Sequence, residues 1–150
     1  MKTAIIYYSA HHGNTKKLLD AISKSGDITL FDITENKNIN LEDFDTVGIA
    51  SGIYYGKFHE SINSFVQNSL PQNKNVFFIY TCGKDSQKYI FEIKKIALSK
   101  NANILGCYGC LGFDTFGPFK IIGGIAKGHP NSEEIKGAVN FFENLSKQKA

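Results

Sequence analysis

The sequence predicts an α/β fold built on a doubly wound parallel sheet. Short unbroken apolar runs alternate with longer segments in which apolar residues recur every three or four positions. Unbroken apolar runs are typical of parallel strands buried on both faces, and the longer period is typical of amphipathic helices. Strands that alternate with helices favour right-handed crossovers. We therefore expect a sheet covered by helices on both sides, a three-layer sandwich.

Five strands are predicted. Four of them are apolar runs, at Ala4–Tyr8, Thr46–Ala50, Val76–Tyr80 and Ile104–Tyr108. The segment Asp27–Ile33 is more mixed in polarity, so we expect it at an edge of the sheet, where one side of a strand contacts solvent.

Four helices are predicted from their apolar faces. The members of these faces are Leu18, Leu19 and Ile22; Ile62, Phe65, Val66 and Leu70; Ile90, Ile93, Ile96 and Ala97; and Ile135, Val139, Phe142 and Leu145. The last helix has a start signal, Asn131 or Ser132 followed by two glutamates, which suit the positive end of the helix dipole. The connection "NLEDFD" after the second strand has room for a single turn only.

Length and composition limit the function classes. The 150 residues suit one domain with a substantial core, and we expect a single domain over residues 1–150. No apolar run approaches the roughly 20 residues of a membrane span, and the N-terminal run is too short for a secretory signal. The 17 basic residues are scattered and the net charge is +3, which argues against nucleic acid. Three cysteines suit a reducing compartment, so we expect a cytoplasmic protein. We also expect a monomer or weak dimer.

Ligands of doubly wound sheets bind at the carboxyl ends of the strands, so the turns after the strands are the candidate sites. The first turn, "SAHHGNT", leaves a strand and opens a helix, where backbone N–H groups and the helix dipole favour an anion. Gly13 allows close approach of the backbone, and Ser9, Asn14 and Thr15 add donors. The turn matches neither GxxxxGK[ST] nor GxGxxG. An ordinary strand-to-helix turn with an N-cap is the alternative.

Two further turns contribute to the same edge. "SGIYYGKFHESI", Ser51–Ile62, carries glycines and two adjacent tyrosines, and aromatic side chains at a loop tip are favourable when they cover a flat ligand. "YTCGKDSQ" places Thr81, Cys82 and Gly83 after the next strand, with Asp85 or Ser86 as the cap of a helix.

These segments together resemble the flavodoxin family. The resemblance rests on "HHGNT" between strand and helix, on "LEDFDTVGIASGIYYGKFHESINSFV" and on "VFFIYTCG", and it covers essentially the whole chain. It implies a five-stranded parallel sheet of order 2-1-3-4-5 with FMN at the carboxyl edge. It also implies an electron carrier that shuttles between redox partners, a reductase and an acceptor, with no catalytic residue of its own.

The resemblance also assigns residues to FMN. The phosphate would lie against Ser9, His11, His12, Gly13, Asn14 and Thr15. One side of the flavin ring would contact Ser51, Gly52, Ile53, Tyr54, Tyr55 and Gly56, with Tyr54 or Tyr55 stacking, and the other side would contact Thr81, Cys82 and Gly83. Two features depart from the family pattern: His12 replaces the usual Ser or Thr, and the net charge of +3 contrasts with strongly acidic flavodoxins.

The second half of the chain has two further features. "CYGC", Cys107–Cys110, ends a strand, and residues three apart on a strand point to opposite faces, so we interpret these cysteines as structural. Only Cys82 could join them around zinc, which is too few ligands. The segment Leu111–Pro130, the last loop, is long for a connection of this kind and rich in Phe, Ile and Gly. It is either a lid or partner surface, or a loop packed on the sheet edge.

Two alternatives to the electron carrier are considered. "GIYYGKFHESINSFV" also resembles protoporphyrinogen oxidases of the flavodoxin superfamily. That similarity implies an FMN-dependent oxidoreductase, of this type or quinone-reductase-like, with the last loop as substrate lid. A flavin-free signalling domain is the other alternative. The acidic residues of a phosphoacceptor domain and the C-x₅-R motif of a phosphatase are missing from the first turn, so this alternative is disfavoured.

Overall fold

The computed structural model describes residues 1–10, 12–36, 38–115 and 117–149. Its strands are β1 (Thr3–Tyr8), β2 (Ile28–Asp32), β3 (Thr46–Tyr54), β4 (Lys57–Phe58), β5 (Asn75–Cys82) and β6 (Asn103–Leu111). Its α-helices are α1 (Asn14–Ile22), α2 (Glu60–Ser69), α3 (Phe91–Ser99) and α4 (Ser132–Lys149). As far as these residues go, none of the helices is long and apolar enough to cross a membrane.

The strands lie in the order β2-β1-β3-β5-β6, and each neighbouring pair is parallel. Counted among the parallel strands alone, this is the order 2-1-3-4-5, so the predicted doubly wound α/β fold is confirmed. The structure adds one element that the sequence did not predict. The short strand β4 pairs antiparallel with the end of β3, through Ile53 with Phe58 and Tyr54 with Lys57.

Alternate residues of the central strands feed two separate apolar cores. Ile6 and Phe78 belong to the core beneath α2 and α3, whereas Ile5, Phe77 and Ile79 belong to the core beneath α1 and α4. This division follows from the two-residue side-chain period of a strand. The predicted helix faces supply the other half of each core, for example with Ile62 and Ile93 on one side and with Leu18 and Phe142 on the other, all at most 1% exposed.

The parallel register brings the strand ends to one edge of the sheet. Ser51 in β3 pairs with Tyr8 of β1 and with Tyr80 of β5, and Thr81 pairs with Cys110 of β6. The loops after β1, β3, β5 and β6 therefore meet at the carboxyl edge. This is the edge at which ligands of doubly wound sheets bind.

Candidate functional site

The first turn leads directly into the N-terminus of helix α1. Gly13 precedes α1 in the left-handed conformation, with φ of 65°, and as the N-cap residue it has no side chain to cap the helix. The Lys16 N–H donates to Ser9 Oγ at 3.0 Å. Within the described chain, no acceptor is found for the N–H groups of Asn14 and Thr15, which are the orphan donors of a helix start. The turn thus presents two donors and the positive end of the helix dipole.

The side chains of Asn14 and Thr15 tie this turn to two other loops. Asn14 is 5% exposed, and its Nδ2 donates to the Phe113 carbonyl at 2.8 Å. Thr15 is 1% exposed, and its Oγ1 lies 2.9 Å from Thr81 Oγ1. Asn14 Oδ1 is buried and accepts no hydrogen bond from the residues that the structure describes. A buried carbonyl oxygen of this kind is costly unless a donor reaches it.

The loop after β3 is a hairpin anchored by Ser51. The buried Ser51 Oγ accepts from the His59 N–H at 3.0 Å and donates to the Gly52 carbonyl at 2.5 Å. The hydroxyl is therefore used by the backbone of its own hairpin. Tyr55 and Gly56 form the tip, with φ of 51° and 79°, and Tyr55 is 89% exposed.

Tyr54 belongs to an aromatic cluster that the sequence did not indicate. Its ring meets the rings of Tyr8 and His59 edge-on, at centroid distances of 5.6 and 5.0 Å. Tyr8 and His59 stack at 3.7 Å with planes 8° apart. His59 Nδ1 also accepts from the Ser61 N–H at 3.1 Å, as the N-cap of α2. Burial lowers the pKa of His59, which keeps the stacked imidazole neutral.

The loop after β5 contributes Thr81, Cys82 and Gly83 to the site. As predicted, Ser86 caps the helical turn that follows, accepting from the Lys88 N–H. Burial, followed by the nearby Asp85 carboxylate, raises the pKa of the Cys82 thiol to about 12. The thiol is therefore protonated at neutral pH and is a poor nucleophile.

The three cysteines are free thiols. Cys107 packs against the core under α2 and α3, whereas Cys110 lies in the core under α1 and α4, so the two face opposite sides of the sheet as expected. Burial raises the pKa of each to about 12. Among the described residues, no group of His, Cys, Asp and Glu is placed to hold a metal ion.

The last loop folds on itself. Asp114 and Ile125 exchange two backbone hydrogen bonds at 2.9 and 2.8 Å, and the Phe113 N–H donates to the His129 carbonyl at 2.9 Å. A short helical turn spans Gly117–Lys120. The start and the end of the last loop are thus joined by backbone hydrogen bonds. Phe116, which belongs to its predicted aromatic set, lies outside the described residues.

This loop also closes over the first turn. His12 Nε2 lies 2.9 Å from Thr115 Oγ1, and its ring lies 4.4 Å from that of Phe113. The Gly112 N–H donates to the Cys82 carbonyl at 2.8 Å. The beginning of the last loop therefore bridges the loops after β1 and β5.

The four loops border a partly open cleft at the carboxyl edge of the sheet. Nine residues predicted for the site line it: Ser9, Asn14, Thr15, Gly52, Ile53, Tyr54, Thr81, Cys82 and Gly83. Three others line it that the sequence did not single out as site residues: Gly112, Phe113 and Asp114. The only signal for them was the aromatic character of the loop after β6.

The other predicted site residues lie elsewhere or outside the description. Ser51 is buried beneath its hairpin, Tyr55 and Gly56 are at the exposed tip, and His12 packs against the last loop. Gly13 forms the N-cap of α1. His11 lies outside the described residues.

The residues of the cleft fit a phosphate-bearing ligand. Helix α1 has no acidic residue in its first turn to repel an anion, and a Cβ placed on Gly13 meets no atom within 4 Å, so there is open space beside the turn. The orphaned Asn14 Oδ1 requires a donor, which a ligand hydroxyl or N–H group can provide. The start of α1 thus offers donors for a phosphate and an acceptor for a ligand hydroxyl or N–H group.

Comparisons with known proteins agree with this arrangement. The model of the flavodoxin domain family matches residues 5–114. An uncharacterized protein of Methanocaldococcus jannaschii is 37% identical over 149 residues, covering 98% of this chain and 99% of that protein. A flavodoxin from the domain Archaea superposes with a TM-score of 0.72 at 16% identity, over 97% of both chains.

A flavoprotein from Lactobacillus acidophilus, solved in complex with FMN, gives a TM-score of 0.55 at 22% identity, over 73% of this chain and 92% of that one. These solved structures share the fold of the chain. The family model covers well over half of the residues, from the first strand to the loop after the last one. The chain belongs to the flavodoxin domain family.

Proposed function

We propose that this protein is a flavodoxin, a single domain over residues 1–150 that binds FMN noncovalently and carries electrons between a reductase and an acceptor. Membership of the flavodoxin family supports both the cofactor and the electron-transfer role. The observation that carries the proposal is the cleft, in which the open start of α1 and the loops after β3, β5 and β6 converge.

The first turn would hold the phosphate of FMN. The N–H groups of Asn14 and Thr15 donate to it, and the dipole of α1 stabilises its negative charge. Ser9 contributes indirectly, since its Oγ accepts from the Lys16 N–H and so fixes the turn. Gly13 supports the left-handed backbone at the start of the helix.

The ring of FMN would lie among Gly52, Ile53 and Tyr54 on one side, with Thr81, Cys82 and Gly83 on the other. Bound there, FMN supplies a ring that takes up and releases electrons one at a time. The protein excludes water from the ring and orients it, and no side chain is assigned a catalytic role. The protonated Cys82 thiol adds no charge to the cleft.

The comparisons do not favour the alternative of an FMN-dependent oxidoreductase with the last loop as its lid. The flavodoxin family model matches residues 5–114, and the archaeal flavodoxin superposes over 97% of the chain. We also propose a cytoplasmic location, because three free thiols suit a reducing compartment, and a monomeric or weakly dimeric state.

The visible absorption spectrum of the purified protein, recorded before and after addition of FMN, tests this function first. A protein-bound flavin spectrum that a stepwise reductive titration resolves into two one-electron stages supports the carrier. A bound flavin that accepts both electrons together contradicts the carrier role. Absence of any flavin binding contradicts the cofactor.

A further inference from the structure

The last loop carries an exposed apolar tip. Ile121 and Ile122 are 88% and 70% exposed, and in the described part of the chain they are the only large hydrophobic neighbours that are both exposed. The backbone around them is ordered by hydrogen bonds, from Gly123 N–H to the Lys120 carbonyl at 3.2 Å and from Gly124 N–H to the Phe119 carbonyl at 2.7 Å. The exposed tip is thus stabilised by backbone hydrogen bonds within the last loop.

The part of the last loop that carries this tip also forms a wall of the cleft. Asp114, which lines the cleft, pairs through its backbone with Ile125. A Cβ placed on Gly83 would lie 2.7 Å from both the Ile125 Cδ1 and an Asp114 carboxylate oxygen, so the last loop packs tightly on the loop after β5. A protein that covers the tip therefore contacts the region that borders the flavin cleft.

Exposed lysines adjoin this tip. Lys120 directly precedes Ile121, Lys127 follows in the same loop, and Lys84 follows Gly83, which packs against the last loop. We call the five residues Lys84, Lys120, Ile121, Ile122 and Lys127 the basic-apolar surface. Among the described residues these three lysines form no ion pair, unlike Lys16 and Lys57, which pair with carboxylates.

The acidic side chains of the same loops take part in contacts within the fold. Asp85 accepts a hydrogen bond from the Tyr80 hydroxyl at 3.0 Å, and Asp114 lies in the wall of the cleft. Glu134 accepts from His129 Nδ1 at 2.5 Å. Within the last loop, the exposed ionic side chains beside Ile121 and Ile122 are those of Lys120 and Lys127, and both are positive.

An apolar centre with a charged rim is the usual anatomy of a protein–protein interface. We propose that the basic-apolar surface docks an electron-transfer protein whose contact face is acidic around an apolar centre. The proposal rests on the proposed function, since it names the class of partner that exchanges electrons with the FMN. Complementary charge would steer the encounter, and the two isoleucines would be buried in the centre of the contact.

A reduced, acidic [2Fe–2S] ferredoxin serves as the probe. In the reaction, one electron leaves the reduced cluster and enters the FMN of the oxidised protein, and stopped-flow absorbance gives the second-order rate constant. We expect the rate for the wild-type protein to fall as salt is added, because salt screens the attraction. Charge reversal in Lys120→Glu/Lys127→Glu should lower the low-salt rate by about tenfold or more. The variant and the wild type should converge at high salt.

A matched control reverses two lysines far from the cleft. Lys24 and Lys147 are exposed and adjoin Ser25 and Ser146, which line a groove at the opposite edge of the sheet with Met1 and Asn75. Lys24→Glu/Lys147→Glu changes the net charge equally and should keep most of the wild-type rate.

Ile121→Ser/Ile122→Ser should lower the rate at all salt concentrations. With cytochrome c, a basic electron acceptor, Lys120→Glu/Lys127→Glu should raise the low-salt rate of electron transfer instead of lowering it.

Equal rates for the two charge-reversal pairs, or a wild-type rate that salt does not change, would overturn the proposal. Sedimentation of the protein with phosphatidylglycerol vesicles that is lost in Ile121→Ser/Ile122→Ser would assign the tip to a membrane surface instead. A dimer lost in the same variant would assign it to a second copy of the chain. FMN titration of every variant separates these outcomes from a failure of the proposed function, because none of the substituted residues lines the cleft.

Discussion

At the scale of single residues, Asn14 joins two of the loops that form the cleft. Its Nδ2 donates to the Phe113 carbonyl, 99 residues further along the chain, while its backbone N–H opens α1. The neighbouring Thr15 makes the corresponding link to Thr81. Each residue combines a side chain that binds another loop with a backbone donor that is available to a ligand. The position of the first turn thus depends on both neighbouring loops.

The charge at Gly13 should decide the affinity for FMN. Gly13→Asp and Gly13→Asn introduce side chains of equal size, and both residues tolerate the left-handed backbone better than most. The carboxylate would repel the phosphate at the start of α1. We expect Gly13→Asp to bind FMN at least about tenfold more weakly than Gly13→Asn, a difference of about 1.4 kcal/mol. Fluorescence titration measures both constants.

Riboflavin, which lacks the phosphate, is the control for Gly13. It should bind the Asp and Asn variants with similar affinity. Equal FMN affinities of the two variants would mean that the phosphate does not lie at this turn.

The two adjacent tyrosines should differ in their effect. Tyr54 lines the cleft, whereas Tyr55 is 89% exposed at the hairpin tip. An aromatic contact contributes about 0.5–1.5 kcal/mol, so Tyr54→Ala should weaken FMN binding about two- to twelvefold and shift its reduction potentials. Tyr55→Ala, the matched control, should leave both within about twofold of wild type. Affinity and potentiometric titrations decide, and a larger effect at Tyr55 would contradict this assignment.

At the scale of elements, the start of α4 secures the far end of the last loop. Asn131 Oδ1 accepts from the Glu134 N–H and Glu134 Oε1 accepts from the Asn131 N–H, both at 2.9 Å. This reciprocal pair is a capping box. The same carboxylate also accepts from His129 Nδ1 at 2.5 Å and from the Leu111 N–H at 3.2 Å. One side chain therefore joins the end of β6, the end of the last loop and the start of α4.

Loss of this carboxylate should destabilise the protein in a pH-dependent way. Burial by itself raises the pKa of Glu134, but the donors from Asn131, His129 and Leu111 outweigh it and hold the pKa below the ordinary value of 4.5. A depressed pKa stabilises the folded state above the unfolded value, and this stabilisation is lost as the pH falls through the folded value. We expect Glu134→Gln to cost about 1 kcal/mol at neutral pH, measured by urea unfolding.

The difference between wild type and Glu134→Gln should shrink progressively below the ordinary Glu value of 4.5. Lys136→Gln, on the exposed side of the same helix, is the control and should change stability little. A stability difference that persists undiminished at acid pH would show that the charge of Glu134 is not the cause.

At the scale of the whole molecule, stability and binding are separated in space. Two apolar cores lie on the two faces of the sheet, whereas the cleft lies at one edge and is built from loops. Loops that follow parallel strands can vary without disturbing the cores. A ligand that contacts several of these loops would therefore add to the stability that the two cores provide.

Cofactor binding should accordingly stabilise the folded chain. FMN at a free concentration about 100 times its dissociation constant should add about 2.7 kcal/mol, which for a chain of this size raises Tm by about 5–10 °C. Differential scanning fluorimetry with and without FMN measures this shift. Riboflavin at the same concentration should give a smaller one, because it does not use the donors of the first turn. An unchanged Tm with FMN would contradict binding.

The sequence by itself determined the five parallel strands, the four α-helices and the edge at which the site lies. Buried parallel strands must be apolar throughout, and amphipathic helices must repeat every three or four residues, so both can be recognised locally. The turn before α1 and the loops after β3 and β5 follow from the same reasoning. The resemblance to the flavodoxin family supplied the strand order, and nine of the residues it assigned line the cleft.

Only the tertiary structure decided which side chains of those loops reach the cleft. Ser51 is used within its hairpin, Tyr55 is exposed, and Tyr8 stacks on His59, none of which leaves a periodic signal. The contribution of Gly112–Asp114 and the closure of the last loop on Asn14 depend on contacts between residues about a hundred positions apart. Such contacts are made by the packing of whole elements, and local sequence patterns do not encode them.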